Sequence, residues 1–214
     1  EERTARLAEK GGKHLRTIYA KLSPGQEVQV GRHAQRPQTE DYIGRLITEF
    51  TPVGGGPLFG GDKAIIGGMG RFDGMPVVVI GTERGSDLET RLQHNFGMAR
   101  PEGYRKAQRL MKMAGQFKMP ILTFIDTAGA WPGIDAEQRG QAEAIARSIA
   151  TCFDVPVPLI ATVIGEGGSG GAVALGAGVR VLMLVHAIYS VIPPEACDSL
   201  LWRDPLQAST AAGI

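Results

Sequence analysis

From residue 64 onward, short apolar segments typical of buried strands alternate with segments of helical spacing. The strand candidates are residues 64–72, 76–81, 120–126, 158–164, 181–185 and 187–192, and the helix candidates between them are residues 101–118, 136–150 and 170–178. Such alternation is typical of a mainly parallel sheet with right-handed crossovers and helices packed outside it. The chain is therefore predicted to fold as an α/β protein.

Local signals fix several of these elements. Asp73-Gly74 separates the first two strands and predicts a tight hairpin, because both residues tolerate positive φ. Pro101 opens a helix whose apolar stripe is Tyr104, Ala107, Met111 and Ala114. The helix at 136–150 is predicted to turn its apolar positions inward, namely Ala142, Ile145, Ala146 and Ile149.

The first fifty residues have a different pattern. Leu7, Leu15 and Ile18 lie at roughly helical spacing in the otherwise charged segment 3–22, which predicts an amphipathic arm that docks on another surface. A second helix is predicted over 39–50, with Thr39 as its N-cap. Residues 52–57 carry three glycines between two prolines and are predicted to form a loop.

Composition excludes several classes of function. The 214 residues suffice for one sizeable domain, alone or with a small appendage. With 23 Lys+Arg against 22 Asp+Glu, the chain has no basic footprint for nucleic acid. The two cysteines and four histidines show no metal-ligand spacing, and we expect a reducing, cytosol-like compartment. No apolar run reaches the ~18 residues of a membrane span, and the start has no secretory pattern.

Two glycine-rich segments, 126–133 and 165–171, follow two of the predicted strands and lead into helices. Ligands of α/β proteins bind beyond the carboxyl ends of parallel strands. Glycine lets a ligand reach the main chain, and a helix N-terminus adds unpaired N–H groups and a positive dipole end. If the two strands are neighbours, N–H groups from both loops are expected to form an oxyanion hole, in which one donor is worth ~3 kcal/mol.

The same segments also fit other motifs. As a G-x-G-x-x-G fingerprint starting at Gly165, the second segment lacks the acidic residue expected ~20 positions later. As a nucleophile elbow around Ser169, it needs an acid and then a histidine, but the single later histidine, His186, precedes every later acid. The DTAG of residues 126–129 resembles a GTPase loop, yet the chain has no G-x-x-x-x-G-K-[ST].

Three side chains in these segments have alternative roles. Asp126 is either a base or, more in keeping with its position, the cap of the following turn. Glu166 is either a catalytic group or the ion-pair partner of Arg139 or Arg180. Ser169 is a helix cap rather than a nucleophile, because it lacks a partner base. Because none of these side chains is clearly catalytic, the sequence favours a site built from main-chain groups.

Seven stretches resemble one family closely, the alpha subunits of the bacterial and plastid acetyl-CoA carboxylase carboxyltransferase. They are RPQTEDYI (36–43), DKAIIGG (62–68), NFGMARPEGYRKAQRLM (95–111), FIDTAGAWPG (124–133), EQRGQAEAIA (137–146), VIGEGGSGGA (163–172) and YSVIPPEACDSLLW (189–202). Their joint order along most of the chain makes the resemblance specific.

The resemblance implies a crotonase/ClpP-like spiral of strand-strand-helix units, with an N-terminal helical arm at 1–35 and the carboxyltransferase domain at 36–214. Relatives continue with further helices. It also implies transfer of a carboxyl group from carboxybiotin, on a separate biotin carboxyl carrier protein, to acetyl-CoA. The product is malonyl-CoA, and the reaction is the first committed step of fatty-acid synthesis.

The implied partners are a beta subunit that binds CoA and carries zinc, in an α2β2 heterotetramer, together with biotin carboxylase and the carrier protein. The implied location is the bacterial cytoplasm or the plastid stroma. No metal and no tightly bound cofactor are expected on this chain itself.

The resemblance and the glycine segments together give the site residues. The expected oxyanion hole consists of main-chain N–H groups from the two segments, at Gly170, Gly171, Gly129 and Ala130. The residues expected to contact the flat biotin ring are Gly167, Gly168, Ser169 and Trp131. A side chain at position 170 or 171 is expected to block the hole.

The chain departs from the family pattern at several positions. Relatives usually carry His-Gly-Asp-Arg where this chain has residues 54–57, proline at Ala128, glycine at Ala196, and often lysine at Arg84. Two alternative functions stay open. One is a crotonase-type CoA-thioester hydratase or isomerase, for which Glu166 and Glu195 are the candidate acid–base groups. The other is a non-catalytic subunit that binds a beta-like partner.

Overall fold

The computed structural model describes residues 2–54, 61–203 and 208–213. The helices are α1 Glu2–Tyr19, α2 Pro24–Gly31, α3 Thr39–Leu46, α4 Leu88–Gln93, α5 Pro101–Phe117, α6 Ile134–Gln138, α7 Gln141–Asp154, α8 Ser169–Gly176, α9 Pro194–Leu201 and α10 Ala208–Ala211. The strands are β1 Ile47–Pro52, β2 Ile65–Phe72, β3 Met75–Thr82, β4 Ile121–Thr127, β5 Leu159–Gly168, β6 Arg180–Met183 and β7 Ile188–Ser190.

The strands form one sheet in the order β1-β2-β3-β4-β5-β6, with β7 also paired to β5. The pairs β1–β2 and β2–β3 are antiparallel, whereas β3–β4, β4–β5, β5–β6 and β5–β7 are parallel. The predicted α/β class and its mainly parallel sheet are therefore confirmed. In this order β4 and β5 lie side by side, so the ends of both strands meet at one edge.

The elements with strong local signals form as predicted. Asp73 and Gly74 have φ values of 48° and 78°, which give the two-residue hairpin between β2 and β3. The predicted stripe of α5 is buried, and the helix ends at Lys118, whose left-handed conformation directs its N–H to the Ala114 carbonyl. These elements depend on neighbours in the sequence, which is why their pattern could be read there.

The core lies on both faces of the sheet. Along β3, Val78 and Ile80 point into a larger cluster shared with α5, α7 and α8, while Val77 and Val79 point into a smaller cluster that includes Ile43 of α3. Strand side chains alternate between faces, so every second residue of β3 serves one cluster. Burial on both faces explains the continuous apolar runs by which the strands are recognised.

The predicted helix over 39–50 is wrong in its second half. Helix α3 ends at Leu46, and Ile47 begins β1, which pairs with β2 through an irregularity between Thr48 and Thr51. Thr39 is the first helical residue rather than the cap, and its buried hydroxyl donates to the Thr82 carbonyl at 2.6 Å. Pairing with a distant strand overrides the local helical spacing.

The predicted loop at 52–57 is only partly described. Pro52 is the last residue of β1, and residues 53 and 54 follow outside any helix or strand. Residues 55–57 lie outside the described part of the chain. The departure from the family pattern at 54–57 therefore has no structural account here.

The predicted helix over 136–150 is two helices, and its inward face was predicted only in part: Ile145 packs half-buried against the core and Ile149 is half-buried. The chain breaks at Arg139–Gly140, and the buried positions of α7 are Gln141, Ala144, Ser148, Thr151 and Cys152. Ala142 and Ala146 are exposed instead. The inner face carries polar groups with hydrogen-bond partners; for example, the Ser148 hydroxyl donates to the Ala174 carbonyl of α8 at 2.7 Å.

The N-terminal helix forms as predicted, with Leu7, Leu15 and Ile18 exposed along it. The next helix, α2, is tied to the sheet, because Glu27 contacts His186 at 2.7 Å and Arg36, just beyond it, donates to main-chain carbonyls at 164 and 185. The boundary at residue 35 between arm and domain stays a prediction. No helix in the described ranges is both long and apolar enough to cross a membrane.

The observed face of α7 can be tested with paired arginine substitutions. We expect Ala146→Arg to change the free energy of unfolding by less than about 0.5 kcal/mol, because position 146 faces solvent. Ser148→Arg should cost about 3 kcal/mol or more, because it puts an unpaired charge in the core and removes a hydrogen bond. Urea unfolding followed by circular dichroism measures both, and a reversed order would contradict the assigned face.

Candidate active site

The two glycine-rich segments meet at the carboxyl ends of β4 and β5. Thr127 of β4 is paired with Gly167 of β5. A Cβ atom placed on Gly171 would lie 2.6 Å from the Gly129 carbonyl carbon and 2.9 Å from the Ala130 nitrogen. The expectation that the two strands are neighbours and bring these segments together is confirmed.

The second segment is not the loop that its glycines predicted. β5 continues as far as Gly168, and α8 begins directly at Ser169, whose φ of 49° makes the sharp turn from strand to helix. The glycines have a packing reason. The Tyr189 ring occupies the side of Gly167, where a Cβ would lie 2.6 Å from it, and the main chain of Ala128 lies against Gly168.

The main-chain amides of the two segments differ in availability. The Gly129 N–H donates to the Thr127 hydroxyl at 3.1 Å, so this predicted hole donor is used within the turn. No described residue accepts a hydrogen bond from the Ala130 N–H. The first N–H groups of α8 have no acceptor within their own helix, and they carry its positive dipole end.

The Ala130 N–H and the first turn of α8 lie next to each other, and we call these groups together the cradle. Gly171 faces this cradle, because its missing Cβ would press on the Gly129–Ala130 peptide. Gly170 does not, since a Cβ there would make ordinary contacts of 3.5 Å and 3.7 Å with Ile145. The space around Gly170 therefore accommodates a methyl group, and the expectation that a larger side chain at either position blocks the site stays a prediction.

Trp131 is held rigidly beside the cradle. Its indole N–H donates to Asp135 at 3.0 Å, and the Arg100 guanidinium lies 5.3 Å from its ring centroid. The buried Gln141 side chain donates to the Trp131 carbonyl at 2.9 Å. These contacts fix the position of Trp131 in the segment that follows β4, where its side chain is half-buried.

Ser169 does not cap α8 as predicted. Gly168 occupies the N-cap position, and the cap has no side-chain hydrogen bond. No described residue hydrogen-bonds to the Ser169 hydroxyl, and His186 contacts Glu27 instead. The strand-turn-helix geometry resembles a nucleophile elbow, but no base adjoins the hydroxyl.

A buried ion-pair network lies behind the glycine segments. The Glu166 carboxylate is inaccessible to solvent and accepts from Arg32 at 2.6 Å and from Arg84 at 3.1 Å. Arg84 also donates to Asp126 at 3.1 Å, and the Asp126 carboxylate accepts from the Glu166 amide at 2.9 Å. Arg32 completes the network at the surface with Glu195, at 2.7 Å.

The network answers the questions left open for these acids. Glu166 pairs with neither Arg139 nor Arg180; Arg139 pairs with Glu102 and Asp135 instead. Asp126 joins β4 to β5 rather than capping its own turn. Both acids are engaged by arginines, so the arrangement offers neither one as a free acid–base group.

Charge and burial set the pKa values of the network's outer members. Burial lowers the pKa of Arg32, but the hydrogen bond to Glu166 and the charges of Glu166 and Glu195 outweigh burial and leave that pKa raised. Burial raises the pKa of Glu195, while hydrogen bonds from its own amide and from Arg32 together bring it below the ordinary value. Both shifts favour the charged, paired state.

Sequence reasoning missed Arg32, Thr127 and Gln141. Arg32 lies 134 positions from Glu166, and the other two act through contacts with main-chain atoms, so no local motif marks any of them. Within the described residues, no group of three His, Cys, Asp or Glu side chains is placed to hold a metal ion.

Removal of Glu166 should destabilise the fold. In Glu166→Leu, Arg32 keeps Glu195 and Arg84 keeps Asp126 as a carboxylate partner. We therefore expect the free energy of unfolding to fall by about 3 kcal/mol, which is the lower end of the range for removing one partner of a buried ion pair. The control Glu195→Gln should cost less than about 1 kcal/mol, because the Glu195 side chain is 61% exposed. Equal urea midpoints for both variants would contradict this role.

Comparisons with known proteins identify the family. The profile of the family "Acetyl co-enzyme A carboxylase carboxyltransferase-like" matches residues 1–214. The chain is 75% identical over 211 residues to the acetyl-coenzyme A carboxylase carboxyl transferase subunit alpha of Gluconacetobacter diazotrophicus, which covers 99% of this chain and 66% of that protein. The same subunit of Rhodospirillum centenum is 63% identical, covering 97% and 65%.

Solved structures match the fold. The transcarboxylase 12S structure aligns with a TM-score of 0.70 at 16% identity, covering 89% of this chain and 38% of that one. A single-chain, multi-domain long-chain acyl-CoA carboxylase aligns with a TM-score of 0.68 at 19% identity, covering 86% and 20%. The predicted crotonase-like carboxyltransferase fold is thereby confirmed.

The chain spans about two thirds of the length of the curated relatives it matches, with 66% and 65% of the two above. The family match nevertheless extends over the whole sequence. The strands that carry the cradle, the turn at Ala130 and the start of α8 all lie inside the matched region. The chain therefore belongs to the family of acetyl-CoA carboxylase carboxyltransferase alpha subunits.

Proposed function

We propose that this chain acts as the alpha subunit of a biotin-dependent carboxyltransferase that converts acetyl-CoA to malonyl-CoA, as the names of its relatives suggest. The observation that carries the proposal is the Ala130 N–H, which lacks a partner among the described residues and whose nitrogen lies beside Gly171 in the first turn of α8. The cradle is proposed to donate to a carbonyl-type oxygen of the substrate.

Carboxybiotin, brought by the carrier protein, supplies the carboxyl group. This chain's part is to hold the ureido oxygen of the ring, where preorganised donors in a dry site stabilise negative charge without moving. The donors proposed here are the main-chain amides of Gly170, Gly171 and Ala130, while Gly129 shapes the turn. The surrounding wall is proposed to comprise Ser169 and Trp131. The open sides of Gly167 and Gly168 are occupied by Tyr189 and Ala128, so these two glycines shape the site from behind.

The site requires no acid or base from this chain. The acids closest in sequence to the glycine segments, Asp126 and Glu166, are engaged by Arg84, which makes them poor proton carriers. A site made of main-chain amides suits transfer steps in which charge develops on oxygen. The hydratase alternative needs a free glutamate, and no observation favours it.

The partners are part of the proposal. A beta subunit in an α2β2 assembly would bind CoA and carry zinc, and biotin carboxylase and the carrier protein would complete the enzyme, in a bacterial cytoplasm. Support comes from apolar side chains that this chain leaves exposed. They are Leu7, Leu15 and Ile18 on α1, and Val181, Leu182 and Met183 on β6. Such clustered exposure is typical of interaction surfaces.

The experiment that tests the function is reconstitution with a candidate beta subunit. The purified pair should decarboxylate malonyl-CoA in the presence of free biotin, the reverse half-reaction, and neither subunit alone should do so. Hydration of an enoyl-CoA by this chain alone would support the hydratase alternative. A complex that forms without turnover would support a non-catalytic subunit.

The cradle is tested by two matched substitutions. Gly171→Ala should lower kcat by about 10²–10³-fold, the loss measured for one oxyanion-hole donor, because the new Cβ displaces the Ala130 amide. The kcat of Gly170→Ala should stay within about threefold of the wild-type value, since its Cβ makes ordinary contacts with Ile145.

Both variants should co-purify with the beta subunit as wild type does, which separates catalysis from assembly. Similar turnover of the two alanine variants would contradict the assignment of the cradle to the Gly171 side. Thermal melting of each variant checks that a difference in rate does not arise from unfolding.

A further inference from the structure

A second concave site lies on the other side of the ion-pair network, between α2, α4 and the turn after β3. Its cavity is about 60 Å³ and is lined in part by Arg32, Arg36, Arg84, Arg91 and Asp126. At about 15 Å³ for each water-sized group, it has room for about four such groups. That is the size of one small oxyanion with its oxygens.

The charges around this cavity do not balance. Four guanidinium groups line it with the single carboxylate of Asp126. Even when Glu166 and Glu195 are added as the partners of Arg32, the four positive charges meet three negative ones. The cavity therefore keeps an excess positive charge.

Two of these arginines lack an acidic partner within ion-pair distance among the residues that the structure describes. Arg36 donates only to the carbonyls of Ile164, Val185 and His186. Arg91 donates from Nε to the Gly85 carbonyl at 3.2 Å, which leaves its two terminal nitrogens free of partners in the described structure. A planar guanidinium in this state is suited to bind an oxyanion through two parallel hydrogen bonds.

Other donors also remain unused. The Nε of Arg32 is buried and has no hydrogen-bond partner among the described residues. The two acids nearest to Arg91 in sequence are both engaged within α4: Asp87 accepts from the Thr90 amide at 2.9 Å, and Glu89 accepts from the Gln93 side chain at 3.5 Å. A buried donor without a partner is costly, and an acceptor from outside the chain would remove that cost.

We propose that this arginine-lined cavity is a binding site for one small oxyanion, a carboxylate, carbonate or phosphate group, held chiefly by Arg91 and Arg84. It is separate from the cradle of Ala130 and α8, and it does not depend on the proposed function. The ion is either free in solution or the end group of a larger ligand. In both cases the chemistry recognised is the same.

Calorimetric titration of the purified chain tests this site. The probes are sodium phosphate, sodium acetate and adenosine 3′,5′-bisphosphate, each at an ionic strength held constant with NaCl, because exposed charges are screened by salt. We expect at least one probe to bind saturably at one molecule per chain. Tighter binding of the nucleotide than of phosphate would indicate that the site recognises the end group of a larger ligand. Similar binding of both would indicate that it recognises a free ion.

Variants locate the binding. Arg91→Gln should raise the dissociation constant of the bound probe at least tenfold. The dissociation constant for Arg91→Lys should lie between those of wild type and Arg91→Gln, because lysine keeps the charge but lacks the planar guanidinium. Arg147→Gln is the control, because Arg147 lies on the exposed face of α7 and pairs with Glu143. Its dissociation constant for the probe should stay within twofold of the wild-type value.

A second measurement guards against misfolding. The probe should raise the melting temperature of wild type and of Arg147→Gln but not that of Arg91→Gln, whose melting temperature without probe should match wild type. The proposal is overturned if no probe binds saturably, or if Arg91→Gln binds as wild type does. Neither result bears on carboxyl transfer, since no beta subunit or biotin is present.

Discussion

The arrangement of the site depends on one buried contact, the Glu166 carboxylate held between Arg32 and Arg84. Arg32 follows α2, Arg84 follows β3, and Glu166 lies on β5, so one side chain joins three segments far apart in sequence. Asp126 adds the end of β4 through its bond to the Glu166 amide. A buried charge is tolerated only with such partners, and each partner thereby fixes the position of its own segment.

The lack of side chains lets the two segments approach closely enough to share a site. At Gly168 and Gly171 the main chain around Ala128 to Ala130 fills the space where a Cβ would be. Close approach brings amides rather than side chains together, which suits stabilisation of a charged oxygen. The Thr127 hydroxyl accepts the hydrogen bond from the Gly129 N–H, so the Gly129 amide is not available to a ligand. The Ala130 amide stays available in the segment after β4.

The sequence predicted those parts of the fold that depend on local patterns. The hairpin at Asp73-Gly74, the stripe of α5 and the order of strands and helices follow from turn chemistry and periodicity. Strand β1 was missed because the apolar positions before Phe50 also fit a helix, and its pairing with β2 is not visible locally. The inner face of α7 was predicted only in part, because Ser148 and Gln141 are buried through hydrogen bonds rather than apolarity.

The site was predicted in outline only. The two glycine segments and their meeting followed from strand order, yet the difference between Gly170 and Gly171 depends on which side of α8 each one faces. The partners of Glu166 come from positions 32 and 84, and no motif connects such distant residues. Three-dimensional packing decides these details, and a single sequence does not record it.

The unpaired Ala130 amide also affects how this protein exchanges hydrogen with its solvent. Amides paired between β4 and β5 exchange only when the sheet opens, because their hydrogen bonds must first break. The amide proton of Ala130 has no such bond to a described residue and can be replaced by deuterium while the fold stays closed. An occupant that bonds to it would slow exchange at this one position, so deuterium uptake there reports occupancy directly.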